Sequence, residues 1–435
     1  MKQTLHLAKF ILVNHSRFIE NGGFLVENSK IIVVGSKNSF GDLTNYNVVN
    51  HGESLICSGF INLHAHLLYS KLGQINGSDG LFPWLEQLVS KTKDWEELDY
   101  ISSIKHGINQ ALSTGTTFLV ENTPNILSAQ ELSKSSLRAL IGIEIFGSEE
   151  LEAENILNKK LEEIYSFQSP ASNFPSPIYF TFSPHATYDV SKPLWERLLK
   201  WSNENNKPLL THLEESLDEK LWWQEKSGPA IKFWTKINTL EPKVKYWRKY
   251  RSGIDFLNQN ELLHENIIAT HLACADKKDL EILRKKNIKL VHCPRSNFYL
   301  KNRIANLKLW DELGFEWGMG TDSLASNDDL DLLSEVKFAI QQQKMYNNYN
   351  ISPVKAFETL TSSPAKILGL YSQMGSLESG KNADFLIYSL ENKLVPLNTD
   401  PYSLLIEHID NKKDLKEVWI NGSKVLLKER TLNKI

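Results

Sequence analysis

Cysteine is scarce in this chain of 435 residues: Cys57, Cys274 and Cys293 are odd in number, far apart and each set in an apolar stretch. That argues against a disulfide framework and, with no Cys-x-x-Cys pair, against a zinc finger or a dithiol redox site; three buried reduced thiols remain. Long apolar runs are missing too, none approaching the ~20 residues needed to cross a bilayer. The first ten residues, Met1 to Phe10, lack the apolar core and small-residue cleavage site of an export signal and read as a strand. Charge of one sign is equally absent: 49 basic against 52 acidic side chains give a net charge of −3, with no long basic run. Neither nucleic acid nor a membrane is therefore expected as a partner, and a cytoplasmic location fits all of these absences.

What is present is an ordinary globular composition, 41% hydrophobic and 23% charged, at a length that accommodates two domains. Residues 1–58 read as short strands and turns, among them Phe10-Ile11-Leu12-Val13 and Lys30-Ile31-Ile32-Val33-Val34. Residues 372–435 have the same character, as in Ala383-Asp384-Phe385-Leu386-Ile387-Tyr388. Neither piece buries enough apolar surface to stand alone, so the two are expected to form one small discontinuous β-sandwich domain. Between them, over 59–371, strand-like runs alternate with amphipathic stretches such as Tyr100 to Leu112, Leu194 to Asn203 and Lys277 to Lys286. Eight strands are expected, at 56–63, 116–121, 139–146, 178–183, 208–213, 266–271, 288–293 and 315–321. Eight parallel strands with helical crossovers predict an α/β fold, a (β/α)8 TIM barrel with its chemistry at the C-terminal strand ends. A doubly wound open sheet is the alternative, but no Gly-x-Gly-x-x-Gly follows the first strand. One segment, about 217–262, breaks the rhythm with Trp222, Trp223, Trp234 and Trp247 among many charges. It is either a lid over the catalytic face or an extra helical hairpin packed by its aromatics.

Metal-ligand and acid/base side chains recur where these strands hand over to loops. His64 and His66 end the first run, and residues i and i+2 of a strand share a face, so both imidazoles can reach one metal. His185, His212, His271, His292 and Asp322 follow at later strand ends. His64, His66, His212 and Asp322 are the candidate ligands of one divalent metal, zinc first and ferrous iron as the alternative. Such a metal would lower the pKa of a bound water from about 15.7 to about 7. Glu215, three residues after His212, is the candidate general acid/base; Glu214 beside it competes, and loop spacing does not decide between them. His271 is expected to hydrogen-bond the attacking water as a catalytic residue rather than a ligand. His292 is expected in a second shell or in a structural role, and His185 and Trp84 against substrate.

Taken together, Gly59-Phe60-Ile61-Asn62-Leu63-His64-Ala65-His66, Ser183-Pro184-His185, His212-Leu213-Glu214-Glu215, His292-Cys293-Pro294-Arg295-Ser296-Asn297 and Gly320-Thr321-Asp322-Ser323 resemble the amidohydrolase superfamily. The resemblance is to its mononuclear aminohydrolases acting on purines and related heterocycles, and it spans nearly the whole chain. The third and fourth strands lack the carboxylated lysine of binuclear members, so one metal is expected. The resemblance implies hydrolytic deamination by metal hydroxide and favours Glu215 over Glu214. Leu81-Phe82-Pro83-Trp84-Leu85 and the run from His212 to Glu219 look most like the aminodeoxyfutalosine deaminases of menaquinone biosynthesis. That implies attack at C6 of the adenine ring of 6-amino-6-deoxyfutalosine while Glu215 protonates N1, with Asp322 and His271 holding the nucleophile. The family also implies a homodimer. Deaminases of adenosine, S-adenosylhomocysteine, methylthioadenosine, guanine or cytosine, and triazine dechlorinases, share the expected site. Cyclic-amide hydrolysis is a second reaction class, and a non-catalytic scaffold a third reading, one that would be expected to have lost ligands.

Overall fold

The computed structural model describes residues 3–167, 178–391, 393 and 399–425. Five strands come from the N-terminal piece: β1 (Thr4–Asn14), β2 (Arg17–Glu27), β3 (Lys30–Ser36), β4 (Asn47–Asn50) and β5 (Ser54–Ser58). Eight belong to the centre: β6 (Phe60–Ala65), β7 (Thr116–Thr123), β8 (Arg138–Ile145), β9 (Ile178–Pro184), β10 (Leu209–Leu213), β11 (Ile267–His271), β12 (Lys289–His292) and β13 (Trp317–Met319). Three more follow: β14 (Phe385–Ser389), β15 (Leu415–Ile420) and β16 (Ser423–Lys424).

The central strands pair in parallel and in sequence from β6 to β13. Closure comes from the segment after β13, where the amides of Thr321 and Asp322 both donate to His64 O at 3.0 Å. Asn62 reinforces the seam, its Nδ2 donating to Thr321 Oγ1 at 2.7 Å and its Oδ1 accepting from the Thr321 amide at 3.2 Å. This is the expected (β/α)8 barrel. Ile61, Leu63, Phe118, Val120, Leu140, Leu210, Ile268 and Val291 pack as one cluster within it. Side chains two residues further along the same strands, Asn122 after Val120 and His212 after Leu210, share that inward face nearer the C-terminal end.

The terminal strands form one sheet in the order β16-β15-β14-β5-β1-β2-β3, with β4 also on β1. It curls until Ser29 O beside β3 accepts from the Ala383 amide at 2.9 Å, enclosing Ile11, Phe24, Ile31, Ile56, Phe385 and Ile387. Both ends of the chain thus contribute to one curled sheet where a β-sandwich was expected; residues 426–435 of the expected C-terminal piece lie outside the described residues. The run expected as a single strand over 56–63 is two. Ser54–Ser58 pairs with β1 and β14, Phe60–Ala65 with β7, and the chain changes sheets at Gly59. A Cβ at Gly59 would lie 2.2 Å from Thr117 Oγ1, so the crossing requires glycine. Every residue of both strands is buried, which is why the apolar pattern runs on without a break.

Between β10 and β11 the chain inserts four helices, Leu217–Glu225, Pro229–Lys236, Leu240–Lys245 and Gly253–Gln259. Trp222 and Trp234 are 2% and 1% exposed and meet edge to face at 4.7 Å, so these aromatics are packing residues. Trp234 also meets Phe82 at 5.5 Å, which seats the insertion on the helix Leu81–Thr92 at the C-terminal end of the barrel strands.

Candidate metal centre

His64, His66, His212 and Asp322 converge at the C-terminal strand ends. Asp322 Oδ1 lies 3.6 Å from His64 Nε2 and 3.7 Å from His66 Nε2, and the Nε2 atoms of His66 and His212 are 3.2 Å apart. β6 shifts register against β7 between Phe60 and Ile61 and again between Asn62 and Ala65, the stretch that carries His64. Asp322 holds φ 59° and His271 φ 78°, backbone that side chains rarely adopt, at the two strand ends where the site needs a side chain turned inward.

The hydrogen bonds fix which ring nitrogens carry protons. His66 Nδ1 faces Asn122 O at 3.0 Å and His212 Nδ1 faces His185 O at 2.8 Å. A carbonyl only accepts, so both Nδ1 atoms are protonated and both neutral rings present Nε2 lone pairs. Two lone pairs 3.2 Å apart repel unless a cation lies between their axes. His64 Nε2 is buried with no hydrogen-bond partner among the described residues, and so is Asn122 Oδ1. With Oδ1 of that amide turned to His64 Nδ1, where the Asn122 amide now lies at 2.9 Å, His64 presents a third lone pair. Burial is the main cause that lowers the pKa of all three histidines, and at His212 neighbouring histidines add to it. Asp322 is held well below the usual carboxylate range: burial opposes this, but His64, His66 and His271 outweigh it. Three neutral imidazoles and one carboxylate are a donor set that fits zinc or ferrous iron.

Glu215 and His271 flank this cradle, with Glu215 Oε2 3.7 Å from His271 Nε2. Burial, the largest effect, raises the Glu215 carboxyl pKa against the pull of His271. Asn297 Oδ1 accepts from His271 Nδ1 at 2.9 Å, which leaves His271 Nε2 facing Glu215. Glu214 turns away at φ 50° and accepts from the Gly253 amide at 2.7 Å, so the neighbouring glutamates serve different structures. Glu215 and Asp322 open onto a cavity of about 660 Å³ that also reaches Trp84 and His185. Trp84 spends its indole N–H on Ala325 O at 3.0 Å and so offers the cavity its ring. His292 does not join the group through its side chain. Its ring nitrogens have no hydrogen-bond partner among the described residues, and the ring meets Trp310 edge to face at 5.7 Å.

Several supporting residues escaped sequence reasoning. Ser296 and Ser326 donate to Asp322 Oδ2 at 2.5 and 3.2 Å, and Asn122 holds both histidines of the first pair. Glu144, on the same inward face of β8, lies 4.0 Å from His66 Nδ1. Ser296 and Asn297 stand inside the run that also carries His292, and their polarity beside a strand end was the available signal.

Residues 55–425 match the Amidohydrolase family. The 5-methylthioadenosine/S-adenosylhomocysteine deaminase of Bacillus cereus (strain 03BB102) is 27% identical over 435 residues, covering 98% of this chain and 94% of that one. The aminofutalosine deaminase of Helicobacter pylori, solved in complex with methylthio-coformycin, is similar with a TM-score of 0.80 at 20% identity over 97% of this chain and 100% of that one. An adenosine deaminase of Xanthomonas campestris with bound zinc gives a TM-score of 0.77 at 21% identity over 97% and 92%. At these identities the two solved structures establish a shared fold.

Proposed function

The chain belongs to the amidohydrolase family and is a metal-dependent aminohydrolase, and from that premise we propose that it deaminates an adenine nucleoside, replacing the 6-amino group with oxygen and releasing ammonia. The observation that carries this reading is the pairing of Glu215 with His271 beside the convergent His64, His66, His212 and Asp322, all of them but His64 lining one cavity of about 660 Å³. A divalent ion held by His64, His66, His212 and Asp322 would supply a water acidified from about 15.7 to about 7. Glu215, buried and with its pKa raised, takes a proton from the nucleophile and delivers it to N1 of the ring. His271, oriented by Asn297, and the Asp322 carboxylate hydrogen-bond the attacking oxygen at C6. A second proton passed to the amino nitrogen lets it leave as ammonia, and the hypoxanthine ring remains. His185 and Trp84 bind the nucleoside.

Within this class the substrate we propose is 6-amino-6-deoxyfutalosine, supported by the Leu81–Leu85 and His212–Glu219 runs and by an aromatic cavity roof that includes Phe82, Phe233 and Trp234. 5-Methylthioadenosine and S-adenosylhomocysteine form the second reading, favoured by the substrates of the curated relative. The test is kcat/KM for ammonia release from these three and from adenosine, guanine and cytosine, using metal-loaded enzyme. A preference for aminodeoxyfutalosine is expected; a preference for the thionucleosides moves the substrate to the second reading. Ring opening of a cyclic amide without ammonia release would overturn the deaminase assignment.

A further inference from the structure

The inserted helices carry one buried cation to the wall of the cavity. Lys243, on the helix Leu240–Lys245, is only 8% exposed. Its Nζ lies 2.5 Å from Asp189 Oδ1, 3.0 Å from Ser148 Oγ and 3.1 Å from Tyr188 O, and it stands 4.9 Å from the Trp234 ring centre. All three ammonium donors are thus engaged, as burial of a lysine demands. The other oxygen of Asp189 faces His185 Nδ1 at 2.6 Å. A carboxylate only accepts, so that contact keeps the proton on Nδ1 and leaves Nε2 as the His185 nitrogen open to a ligand. The ring meets Phe146 at 4.5 Å and His212 at 4.8 Å, and His185 lines the cavity. Lys243 therefore stands two hydrogen bonds from the substrate histidine, on an element foreign to the barrel.

We infer that Lys243 is a positioning residue: by holding Asp189 it fixes the orientation and tautomer of His185, so that docking of the inserted helices completes the substrate-binding wall. Only the kinetic arm of the test rests on the deaminase reading. Without Lys243 the Asp189 carboxylate loses its cation and is free to turn, and His185 is no longer confined to one tautomer.

The first arm does not depend on turnover. Ring 15N shifts of His185 are recorded in the zinc-loaded protein, with the signal assigned by its loss in His185→Asn. Wild type and Lys243→Arg are expected to show a protonated Nδ1, and Lys243→Met to lose that pattern; an unchanged pattern in Lys243→Met overturns the inference. In the second arm, Lys243→Met is expected to raise KM for the accepted nucleoside about tenfold, the order of a lost charged hydrogen bond, with zinc content unchanged and kcat far less affected. Lys243→Arg restores KM, and in the His185→Asn background Lys243→Met adds nothing. Equal cost in both backgrounds overturns the inference, because it would mean that the lysine acts through general packing. Asp189→Asn, which keeps the shape and removes the charge, is expected to raise KM similarly, and a wild-type KM there overturns it as well. If wild-type enzyme releases no ammonia from any nucleoside, the deaminase reading fails while the spectroscopic arm still decides the role of Lys243.

Discussion

At the scale of single residues, the proposed reaction rests on Glu215 and on the polar groups that hold the histidines. Glu215→Gln removes the proton carrier without touching a ligand, so metal content is expected to stay at the wild-type level while kcat falls about 10³-fold. Near-normal turnover in that variant would reassign the acid/base. Asn297→Ala frees the His271 ring from the bond at 2.9 Å that orients it. About a tenfold loss of kcat with unchanged metal affinity is expected, measured by steady-state kinetics beside metal analysis. His64, His66, His212 and Asp322, which the structure brings together, stand out in the sequence because each follows a strand-like apolar run; His292 does so too, yet its side chain stays apart. Asn122 and Ser296 do not stand out: their partners, His64 and His66 for the one and Asp322 for the other, lie on other parts of the barrel, and only its closure decides which polar residue faces which, while Ser326 reaches Asp322 across a loop whose shape the sequence does not give. Glu214 and Glu215 were indistinguishable as neighbours in a loop; the positive φ of Glu214 separates them by turning its carboxylate to the Gly253 amide.

At the scale of elements, the insertion between β10 and β11 is rooted in buried acids. Glu219 accepts from Thr187 Oγ1 at 2.8 Å and from the Glu215 amide at 3.2 Å. Burial, the largest effect, raises its pKa, and these two hydrogen bonds only partly offset the rise. A carboxyl with a raised folded pKa binds more protons in the native state than in the unfolded one. Its contribution to stability therefore declines as pH rises from about 4.3 through the raised value. Glu219→Gln removes that proton linkage, so the melting temperature of the variant relative to wild type is expected to climb between pH 5 and pH 8 at saturating metal. A constant difference across that range would contradict the role given to Glu219. The sequence announced this insertion by its length and tryptophans and left lid and packing open. Trp222 and Trp234 form its core, while Phe233, Trp234 and Lys243 also line the cavity, so one set of helices packs itself and contributes to the cavity wall. β5 and β6 read as one strand in the sequence, because a fully buried apolar run carries no mark where it passes from one sheet to the next except Gly59.

At the scale of the whole molecule, barrel and terminal sheet meet across the buried ion pair of Arg138, at the start of β8, and Asp384, just before β14. Asp384→Ala leaves the guanidinium buried alone, and a loss of about 3–5 kcal/mol is expected in chemical unfolding. Replacing both partners with apolar residues, Arg138→Met with Asp384→Leu, should recover part of it, since the bond that Asp384 accepts from the Asn421 amide at 2.8 Å stays lost; a double variant less stable than the single one would contradict this. The two-ended sheet and the eightfold alternation were readable from the sequence as element types. How the ends curl together was not, since that depends on contacts between residues about 350 positions apart, such as Ser29 with Ala383.

In the proposed function, one divalent ion in the cradle of His64, His66, His212 and Asp322 powers deamination of an adenine nucleoside. The most direct measurement is to strip the protein with a chelator, titrate zinc back, and follow ammonia release from the preferred nucleoside against zinc bound per chain. Activity absent from the stripped protein that rises linearly and stops at one zinc per chain is the result predicted. Activity that survives stripping, or that keeps rising to two zinc ions per chain, would contradict the account.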